Sequence, residues 1–297
     1  MRTLTLILIG LVFAIPAHAT TCNAQISAIT PLPVVAYDPF DNVARSADFE
    51  VEFTNNGPDS CNLSLAVASQ QPGSTRHLEN SGAQLRYVVE KPGGDDYANN
   101  IAAPQGSITL KGGAGKVKSI TLRIKVPRGL IAPAAMYSDT LRFRTYQAGT
   151  AIQMGPERTA FARAAVEARA QVNIAGTSSS NFGSFGIDQI DFGTLDSNET
   201  REAAVQVRAT RSVAISISSQ HHGKLKHKAL SAAPGVPYSM RIEGENVTLS
   251  GAPFVLLRAP PASLDGANYR MQLRIGDTSS RPAGNYQDML TITVSPQ

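Results

Sequence analysis

Few side chains in this sequence are equipped for chemistry. Two cysteines, Cys22 and Cys61, five histidines and a pair of recurring aspartates are the ones whose type and spacing admit it. His221, His222 and His227 lie together in "HHGKLKH" and have the donor atoms of a metal site. No companion cysteine or acid stands at zinc-like spacing beside them, and a solvated basic hairpin is the simpler reading. Asp139 and Asp288 recur at matching places in two similar stretches, as turn or strand-end residues would; a catalytic carboxylate pair has no reason to. No nucleophile elbow, phosphate loop or zinc signature is present. The expectation is a protein that is not an enzyme and holds no cofactor or metal.

The chemistry left to the cysteines is oxidation, which depends on the compartment. Met1 to Ala19 reads as an export leader: Arg2 is its positive end, Leu4–Ile15 its apolar stretch, and Ala17-His18-Ala19 its cleavage site. Cleavage there predicts an exported chain beginning at Thr20, in which Cys22 and Cys61 most simply pair with each other. Closing that loop stabilises a fold by about 4 kcal/mol on the chain-entropy estimate. Losing Arg2 takes one unit from a net charge of +4, and the basic residues form no continuous stripe in the sequence, so nucleic acid is not expected as a partner.

Positioning falls to strands. Phe49, Val51 and Phe53 alternate with acids; Leu63, Leu65 and Val67 alternate, as do Ile120, Leu122, Ile124 and Val126. Later, Val205 and Val207 alternate with Gln206 and Arg208, and Val213, Ile215 and Ile217 with alanine and serines. Period two is the mark of half-buried strands. Turn clusters such as "TNNGPDS", "KPGGDD" and "LKGGAG" separate them, which predicts an all-β chain of antiparallel β-sandwiches.

An internal repeat divides the chain. "PAAMYSDTLRFRTY" (Pro133–Tyr146) resembles "PAGNYQDMLTITV" (Pro282–Val294). Upstream, "ITLRIKV" answers "YRMQLRI", and earlier "QLRYVVE" answers "PYSMRIE". Three matches in one order predict two related domains, 20–174 and 187–297, joined by the Gly/Ser-rich linker 175–186. The halves end differently. After its Tyr-x-Asp-x-Leu the first half continues through "RTAFARAAVEARAQVNI" (Arg158–Ile174), where alternate positions are Ala or Val. A further strand closing the first domain is preferred there. A helix is the rival, since Phe161, Ala164, Ala165 and Ala168 would form a stripe. After Tyr286-Gln-Asp288-Met-Leu290 comes only "TITVSPQ", so the second domain is expected to lack the strand that closes the first.

The early Cys22, the second cysteine Cys61 behind an alternating strand, "LRYVV", and the Gly/Ala-x-Tyr-x-Asp-x-Leu ending resemble spore coat protein U-like domains, the subunits of archaic chaperone–usher pili. The second half carries the matching "DFGTL" (Asp191–Leu195) and "AGNYQDMLTITV" but neither cysteine, and "PVVAYDPFDN" stands where such domains usually show Phe-Gly before Tyr-Asp-Pro. The resemblance implies two immunoglobulin-like sandwiches, the second an incomplete pilin fold. A periplasmic chaperone would lend it a strand, and the N-terminal donor strand of the next pilin subunit would replace that strand at the outer-membrane usher. Tyr286, Asp288, Leu290, Ile292 and Val294 form the implied strand-acceptor motif. Only Thr20 and Thr21 would precede Cys22, too few to donate a strand, and this predicts a tip adhesin at the cell surface.

Tips of that kind resemble hydrophobic-loop binders of abiotic or host surfaces, active in biofilm formation. Tyr97, Ile101, Ile152 and Met154 are the apolar candidates in loops expected at the far pole, with Phe40 of "DPFDN" a further one. A minor pilin or spore-coat-type structural protein is the alternative, and an exported carbohydrate-binding module or enzyme a more distant one.

Overall fold

The computed structural model describes residues 22–175, 182 and 189–297. The expected leader, and the expected linker apart from Ala175 and Phe182, lie outside the described residues. Among the described residues every regular element is a strand. The first sandwich contains β1 (Ala24–Ile29), β2 (Val34–Tyr37), β3 (Arg45–Asn55), β4 (Cys61–Ser69), β5 (Arg76–Asn80), β6 (Ala83–Glu90), β7 (Gln105–Leu110), β8 (Lys116–Val126), β9 (Ala135–Gln147) and β10 (Gln153–Val166). The second contains β11 (Ala170–Ala175), β12 (Thr200–Ala209), β13 (Val213–Ser219), β14 (Lys224–His227), β15 (Val236–Ile242), β16 (Glu245–Val247), β17 (Phe254–Arg258), β18 (Ala267–Ile275), β19 (Tyr286–Gln287) and β20 (Leu290–Pro296).

The first sandwich has one layer in the order β1-β3-β8-β6 and a second in the order β7-β4-β9-β10-β2, with β5 paired to both β6 and β9 at the seam. All pairings are antiparallel except β2 with β10. The chain enters in one layer as β1 and crosses to the other as β2, so that β10 is held on both sides, by β9 and β2. Alternation sends one face of each strand inward. Tyr37, Phe53, Tyr87, Tyr137 and Phe143 are fully buried, and the Phe49 ring meets that of Phe143 edge-on at 6.1 Å. Each such side chain contributes about 1.5–3 kcal/mol. Cys22 and Cys61 are bonded, Cα atoms 5.3 Å apart, tying the segment before β1 to the start of β4.

The second sandwich repeats this plan without the last two strands of one layer. Its layers run β11-β12-β18-β15-β14-β19 and β17-β13-β20. By topology β11 matches β1, β12 matches β3, β13 matches β4, β17 matches β7, β18 matches β8, and β19 with β20 matches β9. Among the described residues nothing matches β10, or β2 on its outer side.

The stretch Arg158–Ile174 is extended, but it is two strands belonging to different sandwiches. β10 stops at Val166, and β11 pairs with β12 from Ala170↔Ala209 to Ala175↔Ala204. The expected boundary at 174/175 therefore moves to Glu167–Arg169, and Ala175, the first residue of the expected linker, is the last of β11. The misplacement has a simple cause: the period-two phase of alanine and valine runs unbroken across the junction.

Thr210, buried, organises that junction. Its hydroxyl donates to Glu167 O (2.8 Å) and accepts from Arg169 N (2.9 Å). Its own N–H donates to Arg169 O (3.0 Å), and its carbonyl accepts from Ala134 N (2.7 Å). Replacing Thr210 by valine keeps the shape and removes the hydroxyl bonds. The expected cost is about 1–3 kcal/mol, read as a lowered denaturant midpoint with loss of coupling between the two unfolding transitions. An unchanged midpoint would mean the hydroxyl bonds do not hold the junction.

Candidate functional site

The strand motif that ends each half builds a frame before it offers a surface. Tyr137 Oη donates to Pro133 O (2.8 Å), and Tyr286 Oη donates to Pro282 O (2.7 Å), a tyrosine corner in each sandwich. Two residues on, each aspartate is buried and takes a tyrosine hydroxyl from across the sandwich: Tyr87 to Asp139 (2.5 Å) and Tyr238 to Asp288 (2.6 Å). Asp288 also accepts from Ser219 Oγ (2.6 Å) and from the backbone N–H of His221 (3.0 Å). Burial, and then the bond to a carboxylate, push both tyrosine hydroxyls far above the ordinary phenol range. Tyr286 and Asp288 thus set the course of the last strand, and their counterparts Tyr137 and Asp139 lie opposite Ala164 and Ala162 of β10.

The alternate residues that follow continue the same row with apolar side chains. In the first sandwich the counterparts on β9, Leu141 and Phe143, are fully buried beneath β10. In the second, Leu290, Ile292 and Val294 on β20 are only half-buried, although they pack on the core. β20 pairs with β13 along one edge, from Ser219↔Leu290 to Val213↔Pro296. Its other edge has no strand partner among the described residues. Val172 and Ile174 of β11 are half-buried against the same core, so two apolar rows flank one open strand position. These β11 residues had been assigned to the first domain by the unbroken alternation, so their role here was missed.

The fully buried cluster of the second sandwich holds Val, Ile, Leu, Met and Ala but neither Tyr nor Phe, unlike that of the first. Domain one closes with the small residues Ala160, Ala162 and Ala164, which lie opposite Leu141, Asp139 and Tyr137. The open position in domain two borders smaller core residues, and a strand entering it has room for larger ones.

The far pole of the first sandwich is built from turns. Asn55, fully buried, donates to Asp59 O (2.8 Å) and Lys111 O (3.1 Å) and accepts from Gly57 N (2.9 Å), joining the turns after β3 and β7. Gly112 packs there so closely that a Cβ would strike the Pro58 carbonyl. Ile152, at the β9–β10 turn, is 58% exposed. Met154 is half-buried against the core, and Ile101 is half-buried with its carbonyl accepting from Tyr146 Oη (2.7 Å). Val117, 56% exposed at the start of β8, shares this pole. It was missed as a candidate, although an apolar residue between two lysines in "KVK" marked it.

Two candidates prove to be elsewhere. Tyr97 is buried in the core, 8% exposed, and presents no surface. Its loop is pinned by the buried Arg76, which donates to Tyr97 O (2.7 Å) and Ala98 O (2.8 Å). Phe40 lies at the junction between the sandwiches, with the Arg208 guanidinium 4.8 Å from its ring centre. His227 is likewise no part of a solvated hairpin: it is buried, and its Nδ1 accepts from Ala229 N (3.1 Å) and Leu230 N (3.0 Å).

No protein-family model matches the chain, and no curated protein matches it in sequence. Among solved structures it is similar to the chaperone–tip adhesion subunit pre-assembly complex of the archaic chaperone–usher Csu pili of Acinetobacter baumannii. There the identity is 13% over 90% of this chain and 99% of that one, with a TM-score of 0.46. It is also similar to the CupB6 tip adhesin of Pseudomonas aeruginosa, at 8% identity over 91% and 94% of the two chains and a TM-score of 0.38. The adhesive subunit CfaE of the CFA/I fimbria of enterotoxigenic Escherichia coli is similar at 12% identity over 79% and 81%, with a TM-score of 0.36. Likenesses of this size carry no functional argument. Among the described residues the fold is all-β, two immunoglobulin-like sandwiches, the first closed by β10 and the second open beside β20.

Matched truncations separate the two states. Leu141→Ala is expected to cost about 2–5 kcal/mol. Leu290→Ala in the isolated chain is expected to cost about 1 kcal/mol, because half-exposed methyl groups lose less on removal. Equal losses in denaturant titrations of the two transitions would show that Leu290 is already covered.

Proposed function

We propose that the chain is a terminal, adhesive subunit of a chaperone–usher pilus, joined to its fibre by a neighbour's strand inserted between β11 and β20. One observation carries this reading. Leu290, Ile292 and Val294, with Val172 and Ile174, stay half-buried around the position that β10 fills in the first sandwich. An inserted strand running antiparallel to β20, as β10 runs to β9, satisfies the open edge and covers both apolar rows. A chaperone strand would hold the position before assembly at the usher.

A terminal place is supported by how the first sandwich uses its own strands. β1 is committed to β3, β10 closes the fold, and Cys22 is bonded to Cys61 at the pole remote from the junction. That remote pole, carrying Ile152 and Val117 over Ile101 and Met154, is the surface offered to an abiotic or host target, in attachment and biofilm formation.

The test adds synthetic peptides of about ten residues to the full exported chain. A peptide alternating leucine or isoleucine with polar residues is expected to raise the midpoint of the second unfolding transition, and an alanine-alternating peptide to raise it much less. Antibody against the first sandwich is expected at fibre ends. A second sandwich that unfolds cooperatively and ignores both peptides would sink the proposal; label along the shafts would make this an internal subunit.

A further inference from the structure

We infer that the outer face of the β12–β18–β15 sheet is a binding surface for an acidic polysaccharide, separate from the open strand position. The outward residues of these strands form cross-strand rows: Thr200, Arg274 and Ser239; then Glu202, Gln272 and Arg241; then Ala204 and Arg270; then Gln206 and Asn268. Three arginines scattered through the sequence thereby come onto one face, which is why no basic stripe is visible in the chain order.

Of the three, Arg270 is paired with an acid, and Arg241 and Arg274 are not. Glu202 pairs with Arg270, at side-chain exposures of 46% and 69%, and also accepts from Gln272 Nε2 (3.3 Å). Glu243 Oε1 is occupied by the backbone N–H of Arg270. Arg274 reaches only a neutral acceptor, Asn198 Oδ1, at 2.8 Å. Arg241 is exposed between the buried Met240 and Ile242 and has no acid opposite it, its cross-strand neighbours being Gln272 and Asn246. Two shallow depressions interrupt the face, one lined by Asn198, Ser239 and Arg274, the other by Arg241, Gly244, Arg270 and Gln272. Arg270 and Arg274 are four residues apart on one strand, a spacing of ~13 Å along the face.

The corresponding face of the first sandwich is different, so the pattern is not a general property of these sheets. There Arg123 is held by Asp48 (Nε to Oδ1 2.6 Å, Nη2 to Oδ2 3.0 Å), Lys125 by Glu90 (3.1 Å), and Glu50 and Glu52 add acid.

The chemistry of the ligand follows from the mixture. Guanidinium groups bind carboxylates through paired N–H donors, and amides such as those of Asn268 and Gln272 can both donate to and accept from hydroxyls. A chain bearing hydroxyls and regularly spaced carboxylates meets both. Among the outward residues of these rows there is no aromatic ring on which a nucleobase could stack and no large apolar side chain to enter a lipid layer.

The test uses the full exported chain with alginate, a polyuronate, as the probe, and dextran, an uncharged polysaccharide, as the control. Binding to alginate is expected to weaken with rising salt, and by about tenfold in the double variant Arg241→Gln with Arg274→Gln. Dextran is expected not to bind. Both side chains are solvent-facing, so the variant should keep the parent's unfolding midpoint, and Arg45→Gln, in the first sandwich, should bind alginate as the parent does. Alginate binding that survives the double variant, or its absence in the parent, would overturn the assignment. So would double-stranded DNA or anionic vesicles binding as tightly as alginate through the same arginines.

Discussion

A strand with partners on both edges in one sandwich has a partner on only one edge in the other, among the described residues. β20 is bonded to β13 and to nothing on its other side among the described residues, while β9 in the first sandwich lies between β4 and β10. Main-chain N–H and C=O groups left on an open edge invite another strand, and half-covered Leu290, Ile292 and Val294 add an apolar incentive to the same event. The two sandwiches otherwise share layer order, a Tyr–Pro corner and a buried Tyr–Asp bond. The omission therefore begins at the β10 position, beside β20, whose register with β13 is already set.

The junction makes that omission relevant to the whole chain. Three residues, Glu167–Arg169, separate β10 from β11, and Thr210 bonds both sides of the turn. Arg169 also reaches Asp38 at 3.1 Å, and Arg208 stands over Phe40. A strand inserted beside β11 would consequently act on an element one short turn away from the closing strand of the first sandwich. The pole bearing Ile152 lies at the opposite end of β10 from that turn, so attachment at one end and strand exchange at the other do not compete for the same residues.

Period-two alternation made the fold readable, because strand faces are written directly into residue order. The repeat and the Cys22–Cys61 bond were legible for the same kind of reason, since short motifs and paired thiols leave local marks. The boundary was not, because Val166 and Ala170 keep the alternating phase although they enter different cores. Half of the acceptor position was hidden with it, in Val172 and Ile174. Tyr97 and His227 sit in loop-like sequence but are buried by polar bonds to distant or turn backbone, which composition does not reveal. The arginine face was invisible for a geometric reason: Arg241, Arg270 and Arg274 meet only when β15 and β18 pair.

The open edge is tested most directly by amide hydrogen exchange, residue by residue, on the full chain. The β20 N–H groups that point away from β13 should exchange rapidly in the chain alone, while their β9 counterparts facing β10 stay protected. Adding a strand-forming peptide should protect those β20 amides without altering β9. Protection of both edges of β20 before any peptide is added would mean the position is already filled, and the account of an incomplete second sandwich would be contradicted.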